Sequence, residues 1–318
     1  MLMVVYYHCL CFYTLRWGYN MCNIEFYEKV VELLNRIDIP AFVFISGYVF
    51  SLNYFRGKYN STLGFLYKKG LRLLIPYFFW GTVVIIVTPR LVTSEDSFIS
   101  GFSHVWFLLM LFSIFVCIIL TRRIWERLQP WQSITLLLAI ILPGHILSYK
   151  GISAPDNYLQ YKGVLGMLPY FYMGLITCQH QFNIRALKPK WAPLALLALL
   201  CTISGVYVII VLTPFYLNYV KNLFIQLSSI VILFLVFTLL SHTPLKNSKL
   251  LDLLDRNSMS IYIIHHIYIT VLLQWTTTPD FMQHHIIIAP LLLFFSSIVI
   301  SIIVANILRR IPLINMTL

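Results

Sequence analysis

Long apolar runs alternate with short polar segments along the whole 318-residue chain. About ten runs of about 15 to 23 residues can be drawn, which is the length a helix needs to cross about 30 Å of hydrocarbon. Their approximate bounds are 1–15, 39–55, 71–88, 103–120, 131–147, 163–178, 192–213, 222–240, 259–274 and 286–308. The pattern predicts an all-α, polytopic transmembrane bundle of about ten helices, forming a single domain over residues 1–318.

Composition supports a membrane protein, since 59% of the residues are hydrophobic and only 11% are charged, against about 25% charged in soluble domains. The formal net charge is +12, but basic loops in a membrane chain are first a topology signal, so no nucleic-acid partner is predicted. The six cysteines lie mostly inside apolar runs without metal-binding spacing, and they are interpreted as small buried hydrophobic residues. No metal site is predicted.

Positive charges are concentrated in alternate polar segments. The segments after the second, fourth, sixth and eighth runs, together with the tail, hold most of the Lys and Arg residues, while the other segments hold most of the acidic ones. Cytoplasmic loops carry an excess of Lys and Arg, so both termini are predicted to be cytoplasmic. The segment from about Arg16 to Asp38 is predicted to be the longest connection, to face outward and to have room for a short helix.

The first run is short. It has about 15 residues where roughly 20 are needed, and no basic residue precedes it. It also lacks the charged leading region and the small-residue cleavage site of a signal peptide. We therefore expect the native chain to begin about ten or more residues before Met1, so that the first helix is incomplete in this sequence.

Ionisable side chains at membrane depth are costly, and each one is a candidate functional residue. Four stretches carry them: "VVYYHCLC", "YKKGLRLLIPYFFWG", "FSHVWFLLMLF" and "SIYIIHHIYIT". The side chains of interest in these stretches are His8; Lys68, Lys69 and Arg72; His104 and Trp106; and His265 and His266.

Each of these residues also has a purely structural explanation. An intramembrane histidine can serve as a hydrogen-bond partner between helices. His104 and Trp106 fit an interfacial anchor, since Trp favours that depth. The basic cluster of Lys68, Lys69 and Arg72 fits a positive anchor whose side chains reach lipid phosphates.

Taken together, the four stretches indicate group transfer. A basic cluster at the cytoplasmic face suits a polyphosphate ligand, because Arg and Lys bind phosphate through charge-assisted hydrogen bonds. Histidines deeper in the bundle have the chemistry of a general base or a nucleophile. The pattern predicts a protein that moves a group from a cytoplasmic donor toward an acceptor that lies outside.

These motifs resemble those of the integral-membrane acyltransferase family 3, over nearly the whole chain. "VVYYHCLC" is similar to the first-helix histidine motif, and "IPAFVFISGYVF", with Ser46 and Gly47, to the second-helix segment. "KKGLRLLIPYFFWG" is similar to the basic third-helix motif, "HVWFLLMLF" to the fourth-helix His-x-Trp-Phe, and "SIYIIHH" to the late helix that ends in histidine. The five motifs occur in the family's order.

The resemblance implies a role for each motif. His8 is the implied catalytic histidine, with His265 or His266 orienting it or the thioester carbonyl. Arg72 is the implied principal acyl-CoA-binding residue, with Lys68 and Lys69 beside it. The residues implied to bind the acceptor substrate are Ser46, His104 and Trp106. Two positions depart from the family pattern: Lys69 replaces the first arginine of Arg-x-x-Arg, and the basic residue about ten positions before the histidine would precede Met1.

The activity implied by the resemblance is that of a membrane O-acyltransferase in the bacterial inner membrane. Its donor substrate would be acetyl-CoA or another acyl-CoA, and its acceptor a hydroxyl of a cell-surface polysaccharide or of the lipid-linked precursor. The alternatives are a proton-coupled carrier or flippase for a lipid-linked sugar, a degenerate non-catalytic family member, and a structural partner in a glycan-assembly complex. The absence of Asp and Glu from the apolar runs argues against a proton-relay carrier.

Overall fold

The computed structural model describes residues 1–14, 23–59, 61–88, 97–149, 157–180, 218–240, 243–275, 278–315 and 317–318. These residues form helices joined by turns, and no strand occurs among them. The helices are α1 (Leu2–Leu10), α2 (Glu25–Phe55), α3 (Thr62–Val87), α4 (Trp106–Leu120), α5 (Arg122–Trp125), α6 (Pro130–Tyr149), α7 (Tyr161–Gln179), α8 (Asn218–Leu240), α9 (Lys249–Arg256), α10 (Ser258–Trp275), α11 (Thr278–His284), α12 (Ile288–Leu308) and α13 (Pro312–Asn315).

Among the described residues, four helical segments are long and apolar enough to cross a membrane, namely Glu25–Phe55, Thr62–Val87, Ser103–Leu120 and Ile288–Leu308. Shorter apolar helices include Leu2–Tyr13 and Ser258–Leu272. The all-helical membrane architecture predicted from the hydropathy pattern is thereby confirmed. The predicted run at 192–213 lies outside the described residues, and the count of about ten spans and the cytoplasmic termini stay predictions.

The predicted connection between the first two runs contains more helix than the short helix that the sequence allowed for. Helix α2 begins at Glu25, so the helix in this segment continues past Asp38 into the second apolar run. Ion pairs between Lys29 and Glu25, with an N–O distance of 2.7 Å, and between Arg36 and Glu32 support this part of the helix. Hydropathy alone could not detect an amphipathic extension held by side chains four residues apart.

Helices α2 and α7 cross with their backbones in close contact. A Cβ added at Gly47 would collide with the carbonyl oxygen of Phe171, and one added at Gly174 would collide with that of Phe44. Small residues at such a crossing let two membrane helices approach within backbone contact. This crossing lies within the main hydrophobic core, which α2, α3, α4 and α7 build together.

The second hydrophobic core joins α1, α10 and α12. Tyr13, which follows α1, donates a hydrogen bond to the carbonyl of Met282 at 3.0 Å. Where α10 begins and α12 ends, Arg309 donates hydrogen bonds to Asn257 Oδ1 at 2.7 Å and to Ser260 Oγ at 2.9 Å. These bonds fix α10 relative to α1 and α12, and α10 is the helix that carries two of the candidate histidines.

We expect Gly47→Ala and Gly174→Ala each to lower the free energy of unfolding by about 1–3 kcal/mol, because the added methyl group must displace a backbone. The measurement is the thermal unfolding midpoint of the purified protein in detergent. Gly70→Ala is the matched control, because the nearest atom to its added Cβ is Phe112 Cε2 at 3.7 Å. A midpoint as low for the control as for the two variants would contradict the close-approach explanation.

Candidate active site

Four histidines from three separate segments form one cluster, which we call the histidine cluster: His8 on α1, His104 in the turn before α4, and His265 and His266 on α10. The rings of His8 and His265 are nearly parallel with a centroid distance of 5.0 Å, and those of His104 and His266 stack at 4.3 Å. His8 and His266 meet edge to face at 5.1 Å. His265 and His104 are buried, whereas His8 and His266 stay partly exposed.

A hydrogen bond between the two rings of the first pair joins α1 to α10. Nδ1 of His8 lies 2.7 Å from Nε2 of His265, and Nδ1 of His265 lies 2.7 Å from the carbonyl oxygen of Ile261. A carbonyl oxygen only accepts, so Nδ1 of His265 carries a proton. In the neutral ring, Nε2 of His265 then accepts, and Nδ1 of His8 donates to it.

This chain of bonds determines the tautomer of His8. With the proton on Nδ1, the lone pair of neutral His8 is on Nε2. A histidine held in one tautomer by a second polar group has the arrangement found in nucleophile and general-base sites, where the second group orients the ring. In this cluster His265, itself oriented by a helix carbonyl, occupies the position of the orienting group.

The second pair is held by main-chain bonds to α10. Nε2 of His104 lies 3.0 Å from the carbonyl oxygen of Ile263, and the hydroxyl of Tyr262 donates to the carbonyl oxygen of His104 itself. The turn before α4 is thus attached to α10 at two points. The sequence predicted His104 to lie at the outer end of its run, near the acceptor, and the structure brings it into the same cluster as His8.

The basic residues on α3 form a second group. Nζ of Lys69 lies 4.3 Å from the ring centroid of Phe115 on α4, a cation–π contact, while Lys68 and Arg72 are exposed. Within the part of the chain that the structure describes, no carboxylate forms an ion pair with any of the three. These side chains can therefore bind an anionic ligand without first breaking an internal salt bridge.

The two groups lie at different heights along α4. His104 precedes the first turn of the helix and Phe115, which Lys69 covers, lies eleven positions later. At 1.5 Å per residue the separation along the axis is roughly 16 Å, about half the thickness of a bilayer core. A ligand that reaches both groups must therefore be long and must carry its anionic groups at one end.

Two further predicted residues are not part of the histidine cluster's hydrogen bonds. The hydroxyl of Ser46 donates to the carbonyl of Phe42, four residues earlier in α2, at 2.9 Å. Trp106 is the first residue of α4 and packs, partly exposed, against the main core. The contacts of both are those of structural residues, and their substrate-binding roles stay predictions.

Sequence reasoning missed three partners of the histidines. These are the Tyr262 hydroxyl and the carbonyl groups of Ile261 and Ile263, all on the first turns of α10. Tyr262 stands in the motif "SIYIIHH", three and four residues before the histidines, which is one helical turn. That spacing was the available signal for Tyr262, whereas nothing in a sequence identifies which main-chain carbonyl a ring will meet.

One acidic residue lies at the edge of an apolar run and inside a long helix. Because α2 begins at Glu25, it includes Asp38, which is 7% exposed and whose Oδ1 accepts a hydrogen bond from the Ile39 amide at 2.6 Å. The absence of acidic residues at membrane depth, on which the argument against a proton-relay carrier rests, stays a prediction. No hydrogen bond joins Asp38 to the described histidines.

Comparison with known proteins gives one finding. A family model described as an acyltransferase domain, that of acyltransferase family 3, matches residues 1–310 of the chain. No curated protein and no solved structure matched. The family match includes every residue of the histidine cluster and of the basic group on α3.

Proposed function

We propose that this chain, which belongs to acyltransferase family 3 and is therefore a membrane acyltransferase, moves an acetyl group from cytoplasmic acetyl-CoA to a hydroxyl of a cell-surface polysaccharide or its lipid-linked precursor. The proposed location is the bacterial inner membrane. The observation that carries the proposal is the hydrogen bond of 2.7 Å between His8 and His265, because it holds the proton on Nδ1 of His8 and the lone pair of that ring on Nε2.

The proposed chemistry uses Nε2 of His8. In one route this nitrogen takes the proton from the acceptor hydroxyl, the oxygen attacks the thioester carbonyl, the carbon–sulfur bond breaks, and the thiolate of CoA leaves and is then protonated. In the other, Nε2 itself attacks the thioester and CoA leaves as thiolate. The acyl group then passes from the imidazole to the hydroxyl oxygen, whose proton is taken up by the CoA thiolate. His265 is a positioning residue in both routes, because it contacts His8 and not the reacting carbon.

The basic group on α3 supplies the proposed donor site. Acyl-CoA carries its phosphates and its thioester at opposite ends of the pantetheine arm, which suits a binding group and a reactive group separated by roughly 16 Å along α4. Arg72 offers a planar fork to a phosphate, while Lys69 offers a point charge held against Phe115. The alternating charge pattern of the sequence supports a cytoplasmic position for this end.

The carrier or flippase hypothesis stays the second candidate. The buried Asp38 on α2 is the one observation in its favour, since a buried carboxylate in a membrane helix is typical of proton relays. The family match favours the acyltransferase. Turnover of acetyl-CoA by the purified protein would separate the two, because a carrier does not break the thioester bond.

His8→Ala should abolish acetyl transfer, because it removes the reacting nitrogen, and His265→Leu should lower it by about 100-fold, because it removes the group that orients His8. The double variant should be no slower than His8→Ala alone, since the positioning residue has nothing left to position. The measurement is release of free CoA from acetyl-CoA, with the unfolding midpoint as a check on folding. Full activity in folded His8→Ala protein would contradict the assignment.

Arg72→Ala should weaken acetyl-CoA binding by about 10-fold or more, the loss expected for a charge-assisted hydrogen bond to phosphate. Arg127→Ala is the matched control, because Arg127 is an exposed arginine in the segment after the fourth run and lies outside the basic group. The measurement is a titration of the purified protein with acetyl-CoA. Equal affinities for Arg72→Ala, Arg127→Ala and the unmodified protein would rule out this donor site.

A further inference from the structure

The second ring nitrogen of His104 is a buried polar atom that the fold leaves without a partner. His104 is 8% exposed, and its Nδ1 has no hydrogen bond within the described residues. Buried polar atoms are almost always hydrogen-bonded, and an exception at a reactive cluster points to a group that binds there. The turn before α4 therefore carries a feature that neither the packing nor the chemistry of His8 explains.

The geometry of the ring fixes what this atom can bind. Nε2 of His104 lies 3.0 Å from the carbonyl oxygen of Ile263, which only accepts, so Nε2 carries the proton. In the neutral ring Nδ1 then holds a lone pair and is an acceptor. A doubly protonated ring would bury a charge, and within the described residues no carboxylate pairs with it. The missing partner is therefore an O–H or N–H donor.

Contacts hold the ring of His104 in one orientation, so its Nδ1 does not lack a partner because of side-chain motion. It stacks on His266 at 4.3 Å with an interplanar angle of 14°, and the hydroxyl of Tyr262 binds the main-chain carbonyl of the same residue. Turning Nδ1 elsewhere would break the bond to Ile263 and the stacked contact together. His266 in turn contacts the ring of His8, so Nδ1 of His104 belongs to the site of the proposed reaction.

We infer that Nδ1 of His104 accepts a hydrogen bond from an O–H or N–H group of a bound substrate, an inference that rests on the proposed function. Two substrate groups have this chemistry. One is the hydroxyl of the acyl acceptor, and the other is an amide N–H in the pantetheine arm of acyl-CoA. Either bond would hold its substrate in the histidine cluster, where His266 contacts the rings of both His104 and His8.

Two variants separate this role from a structural one. His104→Asn places an amide oxygen near the position of Nδ1 and loses the donor to Ile263. His104→Gln places an amide N–H near the position of Nε2, keeps the bond to Ile263 and loses the acceptor. We expect His104→Asn to retain most of the rate of CoA release and His104→Gln to lose about 10-fold or more.

The step that His104→Gln impairs distinguishes the two possible donors, the pantetheine amide and the acceptor hydroxyl. If the partner is the pantetheine amide, His104→Gln weakens the dissociation constant for acetyl-CoA by a similar factor. If the partner is the acceptor hydroxyl, the dissociation constant is unchanged and only the rate of acetyl-CoA hydrolysis falls, with water as the simplest acceptor. Either result supports the inference.

Three results would overturn it: the opposite order of the two variants, equal losses in both, and no loss in either. A measurement on the unmodified protein covers the case in which a variant does not fold. In protein labelled with ¹⁵N-histidine, saturation with acetyl-CoA should move the Nδ1 resonance of His104 if the partner is the pantetheine amide, and addition of a soluble alcohol such as glycerol should move it if the partner is the acceptor hydroxyl. A resonance that neither addition moves contradicts the inference. If the unmodified protein neither binds nor hydrolyses acetyl-CoA, the proposed acyltransferase function itself fails, which is a distinct outcome.

Discussion

An imidazole inside an apolar bundle must find hydrogen-bond partners there, because the surrounding hydrocarbon offers none. In this chain the rings supply partners to one another and take the rest from helix carbonyls. His8 bonds to His265, and His265 bonds to Ile261. This requirement brings together two helices whose bonded residues are 257 positions apart in the sequence, and it ties the beginning of the chain to its last third.

The rest of the bundle fixes the position of the contact between α1 and α10. The close crossing of α2 and α7 at Gly47 and Gly174 sets the frame of the main core, against which α3 and α4 pack. Helix α4 then links the two polar groups, with His104 before its first turn and Phe115 under Lys69 near its other end. Because α4 is a rigid rod of known rise, the distance between the cation group and the histidines is set by residue spacing rather than by loop conformation.

The positions that hydropathy can determine were predictable. Apolar runs of membrane length predict His8 and His265 at depth and Lys69 at the inner end of its run, and the structure confirms helices around each of them. The start of α2 was not predictable in this way, because its first turns are amphipathic and are held by ion pairs such as Lys29–Glu25. The pairing of the rings was not predictable either, since it depends on which face each helix turns toward its neighbours, and hydropathy carries no such information. The roles proposed for single residues came from the family resemblance.

The adjacent histidines of α10 show how the pairing of the rings depends on the rotation of each helix about its axis. Neighbouring residues on an α-helix point about 100° apart, so a doublet can address two different partners. The planes of His265 and His266 are 85° apart, and each ring is nearly parallel to its own partner, at 18° for His8 and 14° for His104. Helix α10 thereby contacts both His8, the ring proposed to move the proton, and His104, the ring proposed to bind a substrate group. A shift of α10 by a single residue would rotate both side chains by about 100° and break both pairs at once. The bonds of Arg309 to Asn257 and Ser260, which fix the first turn of α10, therefore determine the geometry of the histidine cluster from outside it.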